Sequence, residues 1–242
     1  MTPEEFRQAL ANQGIQLTDH QMDQFAQYYQ DLIATNQVVN LTRITDEKDV
    51  YLKHFYDSIT GSFALPTLQT ESLSLCDIGA GAGFPSLPLK IAFPKLKVTI
   101  VDSLNKRINF LQELVARLNL DNVTLVHSRA EDFSKKGSTH RESFDVVTAR
   151  AVARLSVLSE LCLPAAKVGG VFLAYKAQAA ADELSSATRA IAKLGGQKRN
   201  VYSLELPTKP EPEERNLLII DKLTATPQQY PRRAGTPAKK PL

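Results

Sequence analysis

Along the first 65 residues the apolar positions recur three and four apart, the spacing that gives a helix one buried stripe. Thr2 and Glu5 form a capping box, with Pro3 at the first helical position. Thr18 can cap a second helix whose Met22, Phe25, Tyr28 or Tyr29, and Ile33 fall on one face. The segment "DEKDVYLKHFYDSITGSFAL" continues helically, with Val50, His54 and Asp57 spaced by four and three. Residues 1–65 are therefore expected to form a helical N-terminal cap.

From residue 73 the pattern becomes short apolar runs alternating with amphipathic stretches. The predicted strands are "SLSLCDI", "KVTIVDS", "VTLVHS", "FDVVTA" and "GVFLAYK", and between them "KRINFLQELVARLNL" lines up Ile108, Leu111, Val115 and Leu118 on one helical face. Strands of this kind alternating with helices indicate a parallel sheet covered on both sides. The last pair, "RNVYSLEL" and "RNLLIID", is joined by "PTKPEPEE" without a helix, which suits an antiparallel hairpin at the sheet edge. The expected architecture is a doubly wound, Rossmann-like α/β domain over residues 66–224. A basic, proline-rich tail over residues 225–242 follows it.

Composition adds charge asymmetry to this picture. Residues 1–70 carry 4 Lys/Arg and 9 Asp/Glu, residues 71–221 carry 20 and 17, and residues 222–242 carry 5 and none. A short cationic tail on a mildly charged body is compatible with nucleic acid contact and equally with a solvated end. Cys76 and Cys162 sit in apolar surroundings and read as buried reduced thiols, which suits a cytoplasmic protein. No run approaches the ~20 apolar residues needed to cross a bilayer, and the opening "MTPEEFRQAL" lacks the pattern of a secretion signal.

The candidate chemistry centres on "CDIGAGAGFPSLPLKIAFP" (Cys76–Pro94). A triphosphate loop needs a lysine beside its last glycine, and none occurs before Lys90. A dinucleotide fingerprint needs its third glycine at position 84, which is Phe84; the third glycine here is Gly83. Asp77, just ahead of Gly79, Gly81 and Gly83, would repel a pyrophosphate and attract a cationic nucleoside such as S-adenosylmethionine. Asp102 closes the second strand 19 positions beyond Gly83, where an acid can accept both ribose hydroxyls. Ala130 and Glu131 follow the third strand and can frame an adenine. Each feature has a plain alternative: glycine for packing, Asp102 as a helix cap, Glu131 as a surface acid. Three in register at consecutive strand ends point instead to a methyltransferase.

Several blocks carry a more specific signal: "NLTR" (Asn40–Arg43), "HFYDS" (His54–Ser58), "DIGAGAGFPSLPLKI", "VDSLNKRINFL", "SRAED", "TARAVA" and "YPRRAGTPAKKPL". Together they resemble the RsmG family, also called glucose-inhibited division protein B, over essentially the whole chain. One departure is Ser86, where the family pattern has glycine. The resemblance implies a class I methyltransferase moving methyl from S-adenosylmethionine to guanine N-7 of 16S ribosomal RNA near the decoding centre. It also implies cofactor contacts at Gly79, Phe84, Ala130, Glu131 and Arg150.

What the chain lacks agrees with that chemistry. The place after the fourth strand reads "TARAVA" and not the [DN]PP[YFW] box that goes with exocyclic adenine methylation. Cys162 lies in an apolar helical run, which favours packing over a nucleophilic role. Guanine N-7 has a free in-plane lone pair and loses no proton, so alignment and exclusion of water can supply most of the acceleration, positioning being worth ~7–11 kcal/mol in good cases.

Arg150, Arg154 and Lys176 are candidate positioning residues at the catalytic edge, Arg150 on the cofactor side and Arg154 and Lys176 toward RNA, with Arg43 and Lys53 as RNA candidates on the opposite wall. Arg232, Arg233, Lys239 and Lys240 in the tail are candidate phosphate contacts. His54 and Tyr230 are left open between packing and RNA contact. No metal or membrane partner is expected, and nothing in the chain demands more than a monomer. Removal of residues 231–242 is expected to weaken RNA binding and to spare cofactor affinity. Two other readings remain at this stage: a methyltransferase acting on another substrate, and a non-catalytic RNA-binding or ribosome-assembly factor.

Overall fold

The computed structural model describes residues 1–150, 153–177, 180–208 and 210–242. Ala151 and Val152 of the "TARAVA" block lie outside the described residues. Helix α1 (Pro3–Asn12) starts at the expected box, with the Glu5 N–H donating to Thr2 Oγ1 at 3.2 Å and the Thr2 N–H to Glu5 Oε2 at 2.7 Å. Helix α2 (Asp19–Val39) starts at a second box, Thr18 with Gln21. Its buried stripe is Phe25, Tyr28 and Leu32, and Ile33 is only half-buried. Asp31 also faces inward, where Arg117 of helix α8 (Asn105–Arg117) donates to it at 2.7 Å. After α3 (Glu47–Val50) comes a π-helical turn (Tyr51–Tyr56) and then α4 (Asp57–Ile59), α5 (Gly61–Ala64) and α6 (Thr67–Thr70).

Phe6, Phe25, Tyr51 and Phe55 form the centre of the cap, with ring centroids 5.0 Å apart for Phe6–Phe25 and for Tyr51–Phe55 and 5.1 Å for Phe25–Phe55. Offset and edge contacts at such distances add to the area the rings bury. These rings share one hydrophobic cluster with Leu87 and Leu89 of α7 (Ser86–Ala92) and Leu75 of the sheet. The cap is thus fused to the α/β body and has no core of its own.

The sheet contains β1 (Ser74–Ile78), β2 (Lys97–Asp102), β3 (Val123–His127), β4 (Phe144–Arg150), β5 (Ala166–Lys176), β6 (Gly196–Leu206) and β7 (Glu213–Lys222) in the order β3-β2-β1-β4-β5-β7-β6. The first five pair in parallel, and β7 is antiparallel to both β5 and β6. The doubly wound sheet with an antiparallel hairpin is as expected. The later strand, β7, lies inside and β6 forms the edge. Helices α9 (Ala130–Phe133), α10 (Leu155–Cys162) and α11 (Ala180–Lys193) complete the layers. Cys76 and Cys162 are both fully buried. Chain order reverses between β1 and β4, and ligands of such sheets bind outside the carboxyl ends of the strands at that switch.

The tail is not a free arm. Tyr230 is buried, Arg141 donates to the carbonyls of Tyr230 and Thr226 at 2.6 and 2.7 Å, and a short helix α12 (Thr236–Lys239) packs against α10.

Candidate cofactor and nucleic-acid site

A cavity of about 540 Å³ opens at the carboxyl ends of the strands. Its floor is the β1–α7 turn, including Gly79, Gly81 and Phe84; Asp102 enters from the end of β2, Ala130 and Glu131 from the start of α9, and Arg150 from the end of β4. The structure brings these sequence-selected residues together around one cavity. Asp77 and Gly83 do not line the cavity. A Cβ on Gly83 would lie 2.7 Å from both Leu87 Cδ1 and the Tyr28 hydroxyl oxygen, so this glycine lets the cap close on the loop.

Asp77 is the larger correction. It is fully buried behind the loop, where its Oδ2 accepts the Ser86 N–H at 3.1 Å at the start of α7. Its Oδ1 and the Ser86 hydroxyl have no hydrogen-bond partner among the described residues. Burial lifts the carboxyl to about 7, against the opposing pull of Ser86 and of the Arg150 charge. A group half neutral near pH 7 and screened by the loop is a weaker attractor of cations than its sequence position promised. Asp102 does face the cavity. Its Oδ1 accepts the Leu104 N–H at 2.9 Å, and its Oδ2 accepts the Gly81 N–H at 3.1 Å and Arg107 at 3.2 Å.

On the cap side, the π-helical turn and the first residue of α4 bring the Lys53 carbonyl, His54 and Asp57 to one guanidinium. Arg150 donates to Asp57 Oδ2 at 2.8 Å, to the Lys53 carbonyl at 3.0 Å and to His54 Nδ1 at 3.1 Å. Arginine can only donate, so Nδ1 is the acceptor and the proton sits on Nε2, which donates to Thr42 Oγ1 at 2.8 Å. Burial and the Arg150 charge push His54 down to about 3. The neutral ring stacks on Phe84 at 4.5 Å, and Arg150 lies 5.1 Å from the centre of the same ring. Spacing alone could not identify this cluster, because a π-turn changes which residues share a face.

The proposed RNA contacts divide into free and engaged groups. Arg43, Arg154, Arg233, Lys239 and Lys240 are exposed. Lys53 reaches Glu213 at 3.4 Å, Lys176 lies 2.7 Å from Glu183 and 2.6 Å from the Ala153 carbonyl, and Arg232 grips the buried Glu160 at 2.6 Å. These pairs make the latter three parts of the scaffold. The sequence reading missed Thr42, Arg107, Arg129, Gly235 and Ala238 as cavity residues. All five fall inside blocks it quoted, "NLTR", "VDSLNKRINFL", "SRAED" and the tail, so the signal was present without the geometry to use it.

Residues 21–217 match the family described as GidB, rRNA small subunit methyltransferase G. The chain belongs to that family. A curated relative named ribosomal RNA small subunit methyltransferase G, from Limosilactobacillus fermentum, is 70% identical over 242 residues, spanning 100% of this chain and 99% of the relative. One of the same name from Limosilactobacillus reuteri is 67% identical over 242 residues and 100% of both chains. Among solved structures, M. jannaschii TYW2 in complex with AdoMet superposes with a TM-score of 0.53 at 15% identity, covering 69% of this chain and 77% of that one. At that identity the likeness is one of fold. The family resemblance read from the motifs is borne out, and this GidB-family chain is a methyltransferase.

Proposed function

We propose that this chain methylates N-7 of a guanine in 16S rRNA, as a monomer acting in the cytoplasm on the small ribosomal subunit. Family membership supports the substrate class. The observation that carries the site is Asp102 at the end of β2, facing a cavity of about 540 Å³, a size suited to a nucleoside cofactor. Two backbone N–H groups fix the Asp102 carboxylate, and the third donor, the long Arg107 side chain, is the contact that ribose hydroxyls can replace. The chain's donor and acceptor set therefore fits S-adenosylmethionine, with Gly79, Ala130 and Glu131 completing its cradle. S-adenosylmethionine, when bound, supplies an already electrophilic methyl group.

The protein's own contribution is position. Arg150 and His54 fix the Phe84 ring in the lining of the cavity, where the cap packs over the loop. Neither ring nitrogen of His54 is free to take a proton, because one accepts from Arg150 and the other donates to Thr42. That suits a nucleophile that carries its own lone pair and loses no proton. Exposed Arg43, Arg154, Arg233, Lys239 and Lys240 supply cations for phosphates.

The test is transfer of radiolabel from S-adenosylmethionine to small subunits prepared from cells lacking this gene. The expected result is label in 16S rRNA at a single site cleavable by borohydride and aniline. Label in protein alone, or none, overturns the reading.

A further inference from the structure

The C-terminal segment folds into a hook against the cavity. Arg232 reaches the buried Glu160 through its backbone N–H at 2.8 Å, its Nε at 2.9 Å and a terminal nitrogen at 2.6 Å. That terminal nitrogen also donates to the Lys240 carbonyl at 2.8 Å and so closes the hook on itself. At the bend, the Gly235 N–H donates to Glu131 Oε1 at 2.8 Å. Gly235 and Ala238 thereby enter the lining of the cavity, beside Ala130 and Glu131.

We propose that this hook is a wall of the cofactor site, with Gly235 and Ala238 facing the nucleoside and with Glu131, Glu160 and Arg232 acting as positioning residues that hold the wall in place. The inference rests on the reading of the cavity as the S-adenosylmethionine site. Glu131 then has a task beyond framing an adenine, since its carboxylate fastens the tail to the β3 end of the sheet. It also reverses the expectation that removal of residues 231–242 spares cofactor affinity. Without them two lining residues are lost and buried Glu160 loses its ion partner.

Calorimetric titration with S-adenosylhomocysteine, the demethylated product, tests this on the full chain. Ala238 is exposed apart from its place at the cavity, so Ala238→Leu adds bulk to the wall without disturbing the core. The expected result is a loss of about tenfold in affinity, equivalent to about 1.4 kcal/mol. Hydrogen exchange on the wild type provides a second readout, with amides 232–240 expected to exchange more slowly once the product is bound. Unchanged affinity in Ala238→Leu, or unchanged exchange of those amides, overturns the inference while the methyltransferase reading stands. A wild-type chain that does not bind the product overturns both.

Discussion

The packing with which the N-terminal cap backs its wall of the cavity is mostly aromatic, with Tyr28, His54 and Phe55 gathered around Phe84. The wall that the C-terminal tail gives it is held from behind by polar contacts, with Glu160 and Glu131 gripping Arg232 and the Gly235 amide. The difference follows from what each segment can bury. A long amphipathic helix offers rings that lose water against the sheet domain, and dispersion over many contacts needs little directional control. The tail has few apolar groups, chiefly Tyr230 and Pro237, and must be fixed by directed bonds to buried carboxylates. Such bonds define a position closely. They also leave a buried charge exposed to large loss if one partner goes.

Asp57 tests whether the cap depends on its rings alone. It is buried and serves Arg150 at 2.8 Å and Arg215 at 3.1 Å, so it ties the cap to β4 and β7. Asp57→Ala should destabilise the protein by about 3–5 kcal/mol in urea unfolding, because two guanidinium groups lose one shared partner. A loss below about 1 kcal/mol would show that the aromatic packing holds this seam without the ion pairs.

The floor between the walls gives the next effect. Asp77 is raised from 3.8 to about 7, so the folded state keeps a proton that the unfolded chain releases. Its contribution is greatest below pH 3.8 and is lost as the pH rises through 7. Asp77→Asn keeps an acceptor for the Ser86 N–H and removes the titration. Relative to wild type it should gain about 2–3 kcal/mol of stability between pH 5 and pH 8, read from denaturation at each pH. Parallel pH profiles for the two proteins contradict this.

On the tail side, Arg232→Ala leaves Glu160 buried with only a backbone donor from that residue. A loss of about 2 kcal/mol is expected, in the range for hydrogen bonds to charged groups. Limited proteolysis should then cut first between residues 226 and 240. Cleavage elsewhere at wild-type rates would mean that the tail is held by Tyr230 and Pro237 instead.

The sequence made the two walls legible to different degrees. Capping boxes at Thr2 and Thr18, strand runs and the glycine turn are local signals, and each element appeared where its residues put it. Cavity-lining positions at strand ends were readable because a parallel sheet sends those ends to one edge. The role of Asp77 was misread because burial, which sets its charge, depends on the cap packing over the loop. The tail was misread for a related reason. Arg232 looks like a phosphate ligand until Glu160, 72 positions earlier in the chain, is brought under it.

His54 gives the smallest effect and joins the two kinds of chemistry, since it is a stacking ring with both nitrogens bonded. Its folded-state value of about 3 lies below the ordinary 6.5, so the unfolded chain binds the extra proton as the medium acidifies. Its contribution is complete above pH 6.5 and is lost as pH falls toward 3, the opposite sign to Asp77. His54→Phe keeps a ring on Phe84 and removes the titration, so its cost in lost hydrogen bonds is the same at every pH. The stability gap to wild type should therefore be larger at pH 7.5 than at pH 5, by about 1–2 kcal/mol. In the wild type the ring nitrogen resonances should stay in the Nε2–H form between those pH values. A ring that protonates near pH 6 would mean that Arg150 does not sit on Nδ1, and the cap wall would then lack the contact that orients its arginine.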